Sequence, residues 1–118
     1  MRILAIETEV PGVADESFSP FLQAEATRAW ELHQSGIIRE LYFRADQEEA
    51  VLVLECTDVN EAKKHLATLP LVKAGLISFD VIPLKAYPGF ARLFSSQSPK
   101  PSKTGLSSGN RTTRLSAR

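Results

Sequence analysis

The spacing of apolar positions switches between a period of two and a period near that of a helix, and the switches divide the chain into strands and helices. Residues 3–8 are short, β-branched-rich and closed by Pro11-Gly12, which predicts a first strand followed by a loop. From 19 to 35, Phe21, Leu22, Ala26, Ala29, Trp30 and Leu32 recur at helical spacing, with Ser19 as cap, Pro20 in the first turn and Gly36 as stop. Residues 37–44 and 50–56 read as strands joined by a polar stretch, an antiparallel hairpin. Asp58 caps a second helix over 59–69, with Ala62, Leu66 and Leu69 on one face and Pro70 as its end. A fourth strand spans 76–82 up to Pro83, and an irregular segment with Phe90, Leu93 and Phe94 follows.

The order βαββαβ predicts an α+β domain of ferredoxin-like topology, one antiparallel sheet with two helices on one face, over residues 1–94. Residues 95–118 are rich in Ser, Pro, Lys and Thr and nearly devoid of apolar side chains, which predicts a disordered basic tail. Alternation along the strands assigns Leu4 and Ile6, Leu52 and Leu54, and Ile77, Phe79 and Val81 to the helix-covered face. The opposite face then receives Ile3, Ala5 and Glu7, with Val51, Val53 and Glu55, and Ser78, Asp80 and Ile82. That face is too apolar to stay in water, which predicts a homodimer or larger homo-oligomer joined through the sheet. A domain this small gains from the extra burial.

Composition adds limits. With 43% hydrophobic and 24% charged residues the chain has an ordinary globular profile. The apolar run before Glu7 is too short for a signal peptide and no later run approaches a membrane span, so a cytoplasmic protein with no membrane partner is expected. The single cysteine, Cys56, excludes an internal disulfide, and with only His33 and His65 beside it there is no metal-ligand spacing, so no metal is expected. The formal charge of zero conceals a division. Lys100, Lys103, Arg111, Arg114 and Arg118 lie in the tail, leaving nine bases against fourteen acids, a charge of −5, on residues 1–94. Bases this sparse, without aromatic interleaving, do not mark a nucleic-acid partner.

Three groups of residues compete for a chemical role. Glu55 and Asp80, held on an enclosed half-apolar face, are the candidate catalytic acid and base, with Arg39, Tyr42 and Trp30 as candidate binding groups; Arg44 is an alternative counter-charge to Arg39. The plainer alternative makes the same carboxylates solvated strand residues or interface ion pairs. His33 and His65 fit surface positions on their helices, and Glu25 with Arg28 fits a surface ion pair.

Leu69-Pro70-Leu71 and the run from Phe79 through Asp80, Val81, Ile82, Pro83, Leu84, Lys85, Ala86 and Tyr87 to Pro88 resemble the C-terminal half of muconolactone isomerase-like proteins. Residues 25–55 resemble the same family more loosely, and together the resemblance covers about residues 1–90. It implies a dimeric α+β barrel, a small-molecule ligand, no cofactor, and movement of a double bond in an unsaturated lactone by proton abstraction and return. That reaction needs a base and a group to stabilise enolate charge; Glu55 or Asp80 and Arg39 or Tyr42 are this chain's candidates. Tyr87 stands where the family pattern has a histidine before the final proline, and Ile37, Ile38 and Glu40 replace aromatic residues near the first hairpin, so the substrate stays open. A non-catalytic ligand-binding or assembly protein, and a cofactor-free oxygenase, are alternatives on the same fold. A cavity holding paired polar groups favours an enzyme; an interior filled with aliphatic side chains favours the binding protein.

Because the tail lacks groups to dock, deletion of residues 97–118 is expected to leave the melting temperature within about 5 °C of the full chain, roughly 1 kcal/mol for a domain of this size. A larger drop in a thermal melt would give the tail a structural role.

Overall fold

A computed structural model describes residues 1–94; the predicted tail lies outside them. In chain order the elements are β1 (Arg2–Glu9), α1 (Leu22–Gln34), β2 (Ile38–Phe43), β3 (Ala50–Glu55), α2 (Val59–Leu66), a single turn α3 (Pro70–Lys73) and β4 (Ile77–Pro83). The strands form one antiparallel sheet in the order β2-β3-β1-β4. This is the predicted α+β topology. By its internal contacts the chain divides into Met1–Lys85 and Ala86–Arg118. In the second unit a 3-10 turn spans Gly89–Leu93, and the Tyr87 and Phe90 rings meet edge to face at 5.0 Å.

Local chemistry explains where the elements stop. Gly36, at φ 88°, ends α1 in the left-handed region that a side chain would strain, and Ile37 N–H returns to Leu32 O. At α2, Asp58 accepts from Glu61 N–H at 2.8 Å while Glu61 accepts from Thr57 N–H at 2.6 Å, a reciprocal cap. The predicted span 59–69 is too long: α2 stops at Leu66, and Pro70 begins α3 instead of ending α2. Proline fits there because the first N–H of a helix has no partner to lose.

The assignment of strand faces is corrected at β1. Ile3 lies opposite Leu54 and Ala5 opposite Leu52, so Ile3, Ala5 and Glu7 share the helix-covered face with the β3 leucines. Ile3, Ala5 and Leu54 are fully buried and Glu7 is 7% exposed. Leu4 and Ile6, opposite Val53 and Val51, are half-buried on the open face. Both β1 sets are apolar at their start, so alternation alone did not determine the phase. The β3 and β4 assignments hold, with Leu52, Leu54 and Ile77 buried and Phe79 and Val81 packed against the core. Leu32 of α1 and Ala62 and Leu66 of α2 close that core from above.

The two faces of β1 are expected to answer unequally to substitution. Ile3→Ala should cost about 2–5 kcal/mol in denaturant unfolding. Leu4→Ala, which trims a half-buried side chain on the open face and leaves the core under the helices intact, should cost clearly less. The reverse order would place β1 in the other phase.

Candidate active site

One stripe of α1 faces the sheet through Glu25, Ala29 and Leu32, one helical turn apart in sequence. Only Leu32 fills its space. Upstream of it, Ala26 and Ala29 are too short to reach the sheet, and a cavity of about 270 Å³ remains between α1 and the strands. Its floor is Leu52, Ile77 and Phe79, and Leu69 and Leu71 from the segment around Pro70 close one side. Leu22, Leu41 and Phe43 line it too and are 52, 46 and 65% exposed, which places the mouth between the start of α1 and the edge strand β2.

The polar side chains of this lining are Glu7 and Glu25. Glu7 Oε1 accepts from Ala50 N–H at 2.8 Å. That amide is held in place by the β2–β3 hairpin, where Arg44 bonds Asp46 at 2.6 and 2.8 Å and Glu49 at 3.3 Å. Glu25 Oε1 accepts from Leu71 N–H at 2.9 Å. Burial raises the Glu7 pKa above the ordinary 4.5; the Ala50 hydrogen bond opposes it, and the charges of Glu9, Glu49 and Glu25 add to it. Burial likewise raises Glu25, against the Leu71 hydrogen bond. Two carboxyl groups thus face an apolar space, each anchored through one oxygen by a backbone amide. A carboxylate so placed is a stronger base than one in water, and a carboxylic acid so placed keeps its proton longer.

The structure sets the predicted site residues elsewhere. Glu55 is on the open face, where it accepts from the chain's amino terminus at 2.8 Å and from Arg2 at 3.1 Å, and these partners lower its pKa. Asp80 is exposed on the same face, opposite Ile6. Since Glu55 pairs with Arg2 and Asp80 with Ile6, the two are separated by roughly 13 Å along β1. Tyr42 lies level with Asp80 but at the far edge of the sheet, roughly 14 Å away, and donates to Glu40 at 2.6 Å. Arg39 occupies a β-bulge and donates to Gly36 O at 2.7 Å. Trp30 is 58% exposed beside His33 on α1, over a shallow depression that shares Ala26, Ala29 and Leu41 with the cavity. The sheet brings none of these five into the cavity.

Two earlier assignments are corrected. Glu25 does not pair with Arg28: Arg28 bonds Glu31 at 3.0 Å and Thr68 at 2.8 Å, and Glu25 turns inward. Glu7 belongs to the covered face and not to the rim of the open one. The spacing of Glu25 to Ala29 and Leu32 was a signal in the sequence that it shares the buried stripe. Nothing comparable marked Glu7. Among the described residues no three His, Cys, Asp or Glu side chains converge as a metal-ligand set, and no helix is long and apolar enough to cross a membrane.

No curated protein matches the chain. Among solved structures it is similar to muconolactone isomerase, with 21% identity over 84% of this chain and 98% of that one at a TM-score of 0.63. It is also similar to 5-chloro-2-hydroxyhydroquinone dehydrochlorinase from Burkholderia phenoliruptrix, solved with 2,5-dihydroxybenzoquinone, with 19% identity over 75% of this chain and 98% of that one at a TM-score of 0.54. At these identities the likeness establishes the fold. The family model described as muconolactone delta-isomerase matches residues 4–89, which include the sheet from the third residue of β1 onward and the whole cavity lining, and the chain belongs to that family.

Proposed function

We propose that this chain is a cofactor-independent isomerase that moves a proton within a small unsaturated lactone or related carbonyl compound, with Glu7 as base and Glu25 as the stabilising acid. The observation that supports it is the pair of carboxyl groups, Glu7 buried and Glu25 half-buried, that line one apolar cavity. Ionised Glu7 takes a proton from the carbon next to the carbonyl, and the C–H electron pair moves into the ring to leave an enolate. Protonated Glu25 donates a hydrogen bond to the enolate oxygen. The proton on Glu7 then returns to a different carbon and the double bond has moved, with no net change in atoms or electrons. The apolar walls strengthen both interactions by excluding water. Glu55 and Asp80, on the other face of the sheet, belong in this scheme to an interface.

Glu7→Gln retains an oxygen for the Ala50 amide but removes the base, so turnover should fall by about 100-fold or more, a loss typical for general-base removal. In the unsubstituted chain the rate should climb with pH through a midpoint above 4.5, the ordinary value. Stability moves the other way. A raised pKa means that the folded chain holds more protons than the unfolded chain above pH 4.5, so unfolding free energy falls as pH rises through the raised value. Glu7→Gln should flatten that fall; an unchanged pH profile of both rate and stability would remove Glu7 from the mechanism.

The same scheme takes the protein to be a homodimer joined through the open face. On that face Leu4 lies between Val53 and Ile82, and Ile6 beside Val51, giving a continuous apolar strip across three strands. Val53→Lys places a charge in the strip and is expected to dissociate or unfold the assembly. Light scattering that shows a monomer at micromolar concentration for the unsubstituted chain would count against the sheet-to-sheet pairing.

A further inference from the structure

Among the described residues, the cavity joins two carboxyl groups to an otherwise apolar lining that contributes no lysine, arginine or histidine. Glu7 is 7% exposed, and among the described residues only its Oε1 has a hydrogen-bond partner, which leaves Oε2 free toward the space. Further acids stand close by: Glu9 on β1 and Glu49 in the hairpin add negative potential at Glu7. The base of that hairpin, Arg44, is engaged by Asp46 and Glu49. An anion entering this space meets negative charge and hydrogen-bond acceptors, and the described lining holds no cation to offset its lost hydration.

This bears on the ligand. Muconic acid is a dicarboxylic acid, and closing one carboxyl into a lactone leaves the other free, so muconolactone at neutral pH is an anion. At about 270 Å³ the cavity is at the small end of ligand sites, which suits a single ring with short substituents.

We propose that the cavity of this chain selects an uncharged lactone or enone of one ring, whose carbonyl accepts a hydrogen bond from protonated Glu25 and whose hydroxyl donates one to Glu7, and rejects the carboxylate-bearing counterpart. The inference rests on the cavity being the ligand site proposed above, and it names the substrate class of that site.

The test compares muconolactone with its methyl ester, which share a ring and differ by one charge. Binding of each to the full chain is measured by titration calorimetry at pH 7.5, together with exchange of the ring protons for deuterium. The ester is expected to bind roughly tenfold or more tightly than the anion. Glu7→Gln, which removes the ionised carboxylate, is expected to narrow that ratio, and Ala29→Leu, which fills the cavity, to weaken binding of both. Equal or tighter binding of the anion, or no binding of the ester at millimolar concentration, overturns the proposal. The two roles separate cleanly. Ester-selective binding without Glu7-dependent deuterium exchange keeps the neutral-ligand preference and sinks the isomerase, whereas Glu7-dependent exchange with the anion preferred does the reverse.

Discussion

The register of β1 against β3 is the constraint on which the remaining structure depends. Ile3 opposite Leu54 and Ala5 opposite Leu52 set the phase of the central strand, and a shift by one residue would exchange every side chain between faces. Two further positions along, the same phase carries Glu7 beneath α1. The carboxyl group is therefore buried as a consequence of apolar pairing earlier in the strand. Its desolvation is a cost that the fold tolerates because Ala50 N–H satisfies one oxygen and the cavity leaves room at the other.

The opposite phase would have produced a different molecule. With Ile3 and Ala5 outward, the open face would hold Glu7 beside Val51, and the strip of Leu4, Ile6, Val51, Val53 and Ile82 would be broken. The observed phase segregates the chemistry. Carboxyl groups with raised pKa lie under the helices, whereas Glu55, in contact with Arg2 and the amino terminus, is held ionised on the other side.

Much of this was legible in the sequence. Element order, helix caps and the hairpin followed from residues with a strong local preference, such as Gly36 and Asp58. The phase of β1 was not legible, because Ile3-Ala5 and Leu4-Ile6 are nearly equal in apolar character and only pairing across the sheet distinguishes them. The candidate site shifted for that reason: with Glu7 placed outward, Glu55 and Asp80 appeared as its companions. Glu25 was within reach, since its spacing to Ala29 and Leu32 follows the helix, but a nearby Arg28 offered a simpler explanation. Pro70 shows the same ambiguity on a smaller scale, as proline can close one helix or open the next.

The alanines of α1 have a separate significance. The volume above the sheet is governed by Ala26 and Ala29 on a helix, while the buried carboxyl group of Glu7 is anchored on a strand and the hairpin beside it. The size of the cavity and the placement of its carboxyl group are thus encoded on different elements. A methyl group more or less on α1 would re-gauge the volume above the sheet and leave the Glu7 carboxyl group and its amide anchor where they are, so the size of this space can drift through evolution without disturbing the polar group that faces it.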